Sequence, residues 1–190
     1  WYSLIIEPHT VFYNKINQGK MSIAGSLEEG EKYDKVIAGL DALGYPQYEI
    51  SNFAQADHES MHNKTYWLNE PYIGAGAGSH GYTGDDRYYN IKPVNHYINN
   101  MNEHGSVVKE TLKLTQNDKF EEEMFLGLRL NRGISEARFI EKYGVPVDTI
   151  YGDVLKSLTG KKLLKRNNGY ISLTNAGRMI GNDVFVEFLL

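Results

Sequence analysis

The residues with the most chemical reach lie between positions 58 and 81. His58-Glu59-Ser60-Met61-His62 spells H-E-x-x-H. On a helix that spacing puts two imidazoles on one face to ligate zinc, with the glutamate as general base. Its neighbours, Gln55-Ala56-Asp57 and Asn63-Lys64-Thr65, lack the apolar stripe of a buried metallopeptidase helix, so the context speaks against a zinc peptidase. Overlapping it, His62-Asn63-Lys64-Thr65-Tyr66-Trp67 sets an imidazole, an amide and two large flat rings side by side. An imidazole can ligate haem iron axially, and aromatic rings can stack on a porphyrin face. The competing reading is a surface loop whose Tyr66 and Trp67 anchor into a core. Gly76-Ala77-Gly78-Ser79-His80-Gly81 spells G-x-G-x-x-G, but Tyr82-Thr83-Gly84-Asp85-Asp86 makes a turn where a dinucleotide fold needs a helix N-terminus. What remains is backbone able to approach a ligand or another segment closely. Ser79 and His80 are adjacent, and in extended backbone they point to opposite faces, so they form no catalytic pair.

The elements that must position these residues follow from periodicity and caps. Tyr2–Ile6 reads as a buried strand, and Thr10 caps a short helix over 11–18. Ser26-Leu27-Glu28-Glu29 reads as a capping box for a helix carrying Leu27, Tyr33, Val36, Ile37, Leu40 and Leu43 at helical spacing, stopped by Gly44. Tyr48–Ser51 reads as a second strand, so strand, helix, strand predicts a parallel α/β unit. Residues 53–92 read as loop-rich, dense in Gly and Tyr. Pro93 opens a helix to about Glu103, ended by Gly105. Thr115 caps a helix over 116–130 with Phe120, Met124, Phe125 and Leu128 on its core face. Ser135 caps another to about 143, ended by Gly144, and a third spans 147–159. Leu163–Arg166, the turn Asn167-Asn168-Gly169 and Tyr170–Leu173 make a hairpin, and Thr174 caps a last helix to about Phe188. Three helices, a hairpin and a helix is the order of a winged helix.

Composition frames this. The 190 residues are 41% hydrophobic and 23% charged, which is enough to build a core. No Cys is present, which excludes disulfides, thiolate zinc sites and any cysteine-ligated iron–sulfur cluster held by this chain alone. The net charge of -4 lacks the basic footprint of a nucleic-acid or membrane-surface binder. No apolar run reaches the ~20 residues of a membrane span. Residues 1–110 carry 14 acidic and 8 basic residues, and residues 111–190 carry 10 and 12, so the chain is expected to divide near 110. The basic run Lys161, Lys162, Lys165 and Arg166 could touch phosphates. The helix before it carries Asp148 and Asp153 with only Lys156, which suits a scaffold better than a DNA groove. Trp1, in place of Met, opens on a strand pattern, so the chain is expected to be a piece of something longer.

Four segments in order carry a resemblance. Tyr2–Thr10, Tyr48–Ala54, His62–Trp67 and Tyr72–Gly81 are similar to the oxygen-independent coproporphyrinogen III oxidase-like radical S-adenosylmethionine (SAM) family, on its haem-chaperone, HemW, side. Gly133-Ile134-Ser135 and Ile171–Gly177 are similar to its carboxy-terminal domain. The resemblance implies an α/β remnant of a partial (β/α) barrel at 1–110, followed by a mostly α, winged-helix-like HemN carboxy-terminal domain at 111–190. It implies haem binding through His62 as iron ligand, with Asn63, Tyr66 and Trp67 around it, and SAM-adjacent positions at Ile5, Gly76, Gly78 and His80. It also implies a [4Fe–4S] cluster and SAM in the full-length parent only, because the family's Cys-x3-Cys-x2-Cys loop is absent, so no catalytic residue is expected in this fragment. His9 stands where the family has Gly. The expected role is haem handling in the porphyrin pathway, in the cytoplasm, with haem-acceptor proteins and a possible homodimer through an exposed barrel edge. The alternative within the family is the oxidase that decarboxylates propionates to vinyls.

Overall fold

The computed structural model describes residues 2, 4–22 and 25–190. The chain divides into two compact units, Trp1–Glu59 and Ser60–Leu190.

In the first unit Thr10 caps helix α1 (Val11–Asn17), its hydroxyl accepting from the Tyr13 N–H at 3.2 Å. Helix α2 (Ser26–Ala42) begins at Ser26, and the cap position falls on an extended Gly25 rather than on Ser26 as expected. Glu28 and Glu29 still sit at the positive end of the helix, and both pair with Lys32. Of the predicted apolar stripe Tyr33, Val36, Ile37 and Leu40 are half-buried while Leu43 is exposed, and Gly44 ends the helix at φ +82°. Strands β1 (Gln47–Glu49) and β2 (Asn52–Phe53) then pair as an antiparallel hairpin. The parallel α/β pairing is therefore corrected. Of the expected strand Tyr2–Ile6, Ser3 lies outside the described residues. Tyr2 and Leu4–Ile6 carry no strand, and Leu4 and Ile5 are exposed. A β-rich run becomes a strand only where a neighbour satisfies its N–H and C=O groups, and no described segment does so here.

The second unit opens with helix α3 (Met61–Trp67), capped by Ser60, whose hydroxyl accepts from the Asn63 N–H at 3.3 Å. Strands β3 (His80–Tyr82), β4 (Asp86–Asn90) and β5 (Val108–Lys113) form an antiparallel sheet in that order. The stretch read as loop-rich thus contains a helix and two strands. Helix α4 (Val94–His104) follows Pro93 and ends at Gly105, φ +66°, as expected. Helix α5 (Gln116–Gly127) carries a reciprocal capping box between Thr115 and Asp118. The two-residue strand β6 (Ile134–Ser135) leads into α6 (Glu136–Tyr143), ended by Gly144, and α7 (Val147–Gly160). Strands β7 (Leu164–Asn167) and β8 (Tyr170–Leu173) form the predicted hairpin, with Asn168 and Gly169 both at positive φ, and β6 pairs along β8. The expected last helix is two, α8 (Asn175–Met179) and α9 (Gly181–Val186), because Ile180 leaves helical geometry before Gly181. The core lies here, with Met124, Leu128, Phe139, Tyr151, Leu173 and Phe188 at 2% exposure or less. Among the described residues there is no closed barrel, and no helix is long and apolar enough to cross a membrane.

Candidate functional site

Helix α3 presents its chemistry on two stripes, because residues four apart share a face. His62 and Tyr66 form one. The imidazole is exposed, and the Tyr66 ring meets it edge-on at 4.9 Å between centroids. Tyr66 in turn meets Tyr72 edge-on at 4.6 Å, and Tyr72 bridges Tyr82 by backbone hydrogen bonds of 2.8 and 2.9 Å. Asn63 and Trp67 form the other, half-buried stripe. The Arg129 guanidinium lies 5.3 Å from the Trp67 ring and 5.1 Å from Phe185. Trp67 also lines a small recess of about 180 Å³ with Glu123, Arg138 and Tyr170. Trp67 is thus packed against the carboxy-terminal elements, while His62 points to solvent.

The end of α3 is fixed with unusual thoroughness. Asn69 takes the left-handed conformation at φ +50°, and the Glu70 N–H returns to the Thr65 carbonyl at 3.0 Å, closing the last turn. From α6, Arg138 donates to the Leu68 carbonyl at 2.6 Å and to the Glu70 carboxylate at 2.7 Å. Lys142 donates to the Asn69 carbonyl at 2.9 Å. These cations sit at the negative end of the α3 dipole. They are held by Glu123 of α5, whose carboxylate is 5% exposed and lies 2.7 Å from Lys142 Nζ and 3.8 Å from Arg138. The Tyr143 hydroxyl donates to the same carboxylate at 3.0 Å, and burial together with that negative charge pushes its pKa far up, so it stays a donor.

The Gly-rich segment is held just as tightly. Buried Asn90 donates through its amide nitrogen to the Gly74 carbonyl at 3.2 Å, the Gly76 carbonyl at 3.1 Å and the Ser79 hydroxyl at 2.9 Å. The Gly74 N–H donates to the Tyr88 hydroxyl at 3.0 Å. A Cβ on Gly74 would lie 2.2 Å from the His80 carbonyl oxygen, and one on Gly81 would lie 2.1 Å from the Tyr88 ring. The glycines therefore serve close packing of the chain on itself. Gly76 and Gly78 turn at positive φ, and His80 stacks on Tyr89 with 5.6 Å between centroids. On the same sheet Arg87 forms a two-point pair with Glu122 of α5, at 2.6 and 2.7 Å, 4.6 Å above the Tyr82 ring.

The expected site residues thus separate by position. Gly76 and Gly78 lie in the loop that leads into β3, whose first residue is His80, and His62, Asn63, Tyr66 and Trp67 lie on α3. Ile5 lies in the first unit, exposed and outside any strand. The H-E-x-x-H match loses its helix, because α3 begins at Met61 and leaves His58 and Glu59 before it. No cluster of three or more His, Asp or Glu residues able to hold a metal occurs among the described residues. Arg166 of the basic hairpin is already bound by Asp148 and Glu136. His9 sits at φ +67°, a left-handed turn of the kind glycine accepts without strain. Sequence reasoning missed Asn90, Glu123, Arg138 and Lys142. Glu123 had one usable signal, since it falls beside Met124 on the apolar stripe of α5.

Comparison with known proteins gives the geometry its context. Residues 114–180 match the family model described as HemN C-terminal domain. The chain is 47% identical over 188 residues to the heme chaperone HemW of Bacillus subtilis, covering 99% of this chain and 50% of that protein. It is 39% identical over 189 residues to the heme chaperone HemW of Lactococcus lactis, covering 100% and 49%. The chain thus spans about half the length of the curated relatives it matches. Among solved structures, the coproporphyrinogen III oxidase HemN of Escherichia coli, described as a radical SAM enzyme, superposes with a TM-score of 0.67 at 18% identity, over 91% of this chain and 44% of that one. At that identity the likeness speaks for the fold. The resemblance to the oxygen-independent coproporphyrinogen III oxidase-like radical SAM family, on its HemW side, is therefore shown, with residues 114–180 matching the HemN C-terminal domain.

Proposed function

We propose that the chain is the haem-handling, carboxy-terminal region of a radical SAM haem chaperone, working in the cytoplasm and passing haem to acceptor proteins. The observation that carries this reading is His62, an exposed imidazole with an aromatic edge beside it, on a helix whose far end is locked by three basic and acidic side chains of α5 and α6. The donor suits haem iron, which His62 would hold through a ring nitrogen. Tyr66, Asn63 and Trp67 would surround the haem held by His62, and the Trp67 ring also packs α3 against Arg129. Haem bound there supplies a ligand-exchange centre, and the protein's part is to present and release it.

In the same reading Gly76, Gly78 and His80, in the Asn90-stapled segment that enters β3, are SAM-adjacent positions of the second unit, and Ile5 is one of the first unit. The chain has no cysteine, so the thiolates for a [4Fe–4S] cluster do not come from it. Residues 1–110 are proposed as part of a (β/α) barrel and residues 111–190 as a winged-helix-like scaffold. The order α5, β6, α6, α7, β7, β8 with β6 beside β8 supports the second of these. Titrating the chain with haem while following the Soret band tests the reading. A shifted band that weakens about tenfold or more in affinity in His62→Ala supports it, and an identical titration in the variant removes His62 from the site.

A further inference from the structure

One cleft of the second unit holds none of the residues assigned above to haem or SAM. It runs between α7 and the β7–β8 hairpin and has a volume of about 260 Å³. On α7 its lining is Gly152, Leu155, Lys156 and Thr159, which share one helical face, and on the hairpin it is the cross-strand pair Arg166 and Ile171. Gly152 is the telling residue. It stands inside α7, directly after Tyr151 leaves helical geometry at φ -118°, and glycine weakens a helix there. A Cβ at 152 would meet nothing within 4 Å, so close packing of the chain on itself does not require the glycine. Its missing side chain leaves the cleft open beside Leu155 and Ile171 instead.

The charges of the cleft are uneven. Arg166 is neutralised, donating to Asp148 at 2.9 Å and pairing also with Glu136. Lys156 is not, nor are Lys161 and Lys162, which follow within about two helical turns. All three are exposed, and among the described residues none has an ion-pair partner.

We propose that this cleft docks an acidic segment of a partner protein, with one aliphatic side chain of that segment seated over Gly152 and its carboxylates on Lys156, Lys161 and Lys162. The volume lies below the ~300 Å³ at which pockets begin to enclose a drug-sized molecule, so it fits a side chain rather than a free ligand. The lysines supply the charge complementarity that steers an acidic partner and fixes its register. A nucleic acid is the other polyanion, but an aliphatic seat offers nothing to a phosphate backbone, and Asp148 and Asp153 on the same helix repel it. The assignment stands whether or not His62 meets iron, because no lining residue belongs to α3 or to the Gly-rich segment.

The probe is a fluorescein-labelled peptide with one leucine flanked on each side by Asp and Glu, titrated with the full 190-residue chain at about 0.15 M salt while anisotropy is followed. Saturable binding is expected. It should weaken about tenfold when the leucine of the peptide is replaced by glycine, in Gly152→Leu, which fills the seat, and in Lys156→Glu/Lys162→Glu. Gly152→Ala, which adds only a Cβ to open space, and Lys156→Arg/Lys162→Arg are expected to keep the affinity, which separates a lost seat or charge from a fold defect. No saturation up to about 1 mM, equal affinity in Gly152→Leu, or equal affinity for the leucine-free peptide overturns the proposal. So does tighter binding of a DNA duplex than of the peptide, which would give the lysines to phosphates.

Discussion

His9 shows how one residue can record a local geometric demand. Its φ of +67° is a conformation in which Cβ crowds the following carbonyl, at a cost of about 1 kcal/mol or more. Thr10 nevertheless completes the turn, accepting from the Tyr13 N–H and donating to the Glu7 carbonyl at 2.8 Å. His9→Gly is expected to raise stability by about 1 kcal/mol in urea denaturation, and a loss would show that the imidazole contributes more than the strain costs. Gly74 runs the other way. Its Cβ would lie 2.2 Å from a backbone oxygen that cannot move without shifting β3, so Gly74→Ala is expected to destabilise by about 1–3 kcal/mol. An unchanged urea midpoint in that variant would mean the close approach relaxes freely.

Helix α3 is short, and at seven residues it has little stability of its own. Its order comes from α5 and α6, through Glu123, Arg138 and Lys142. Glu123→Ala leaves Lys142 without its carboxylate and Arg138 with Glu70 alone, and is expected to cost about 2–3 kcal/mol. It should also speed amide hydrogen exchange across 61–68 more than across α7, and uniform exchange across both helices would separate Glu123 from α3. The elements themselves were legible where local chemistry was decisive. Thr115 and Ser135 cap α5 and α6 as their sequence announces, Gly105 and Gly144 end their helices, and Asn168-Gly169 turns the β7–β8 hairpin. Legibility failed where tertiary contacts decide. The β3–β4–β5 sheet is built from Gly81, Arg87 and paired tyrosines whose packing partners lie far along the chain, and α3's cap, Ser60, is hidden inside the H-E-x-x-H match. Tyr2–Ile6 has strand composition but no neighbour among the described residues to pair with. The candidate site was legible as a motif, whereas its supports, Asn90 and Glu123, emerge only once distant segments meet.

Across the second unit, α5 is the common anchor. Glu122 takes Arg87 of the sheet and Glu123 takes the cations that close α3, so one turn of helix ties the hairpin segment and the His62 helix to the carboxy-terminal elements. Acid should loosen this unit. The Arg166 hydrogen bond holds the Asp148 carboxyl below its usual range, and Thr115 does the same for Asp118. A lowered folded pKa gives stability that is present above the ordinary carboxylate value of about 3.9 and is lost as pH falls through the depressed one. Asp148→Asn is therefore expected to flatten the fall of the urea midpoint below about pH 4, and parallel curves would show that the Arg166 pair contributes nothing to the fold. The account as a whole stands on iron meeting His62. Its most direct measurement is the Soret spectrum of ferric haem with the wild-type chain, with His62→Ala, and with His62→Ala plus free imidazole. The band is predicted to shift in the wild type, to lose that shift in the variant and to regain it when imidazole is added, whereas an unaltered spectrum in the variant would contradict haem ligation by α3.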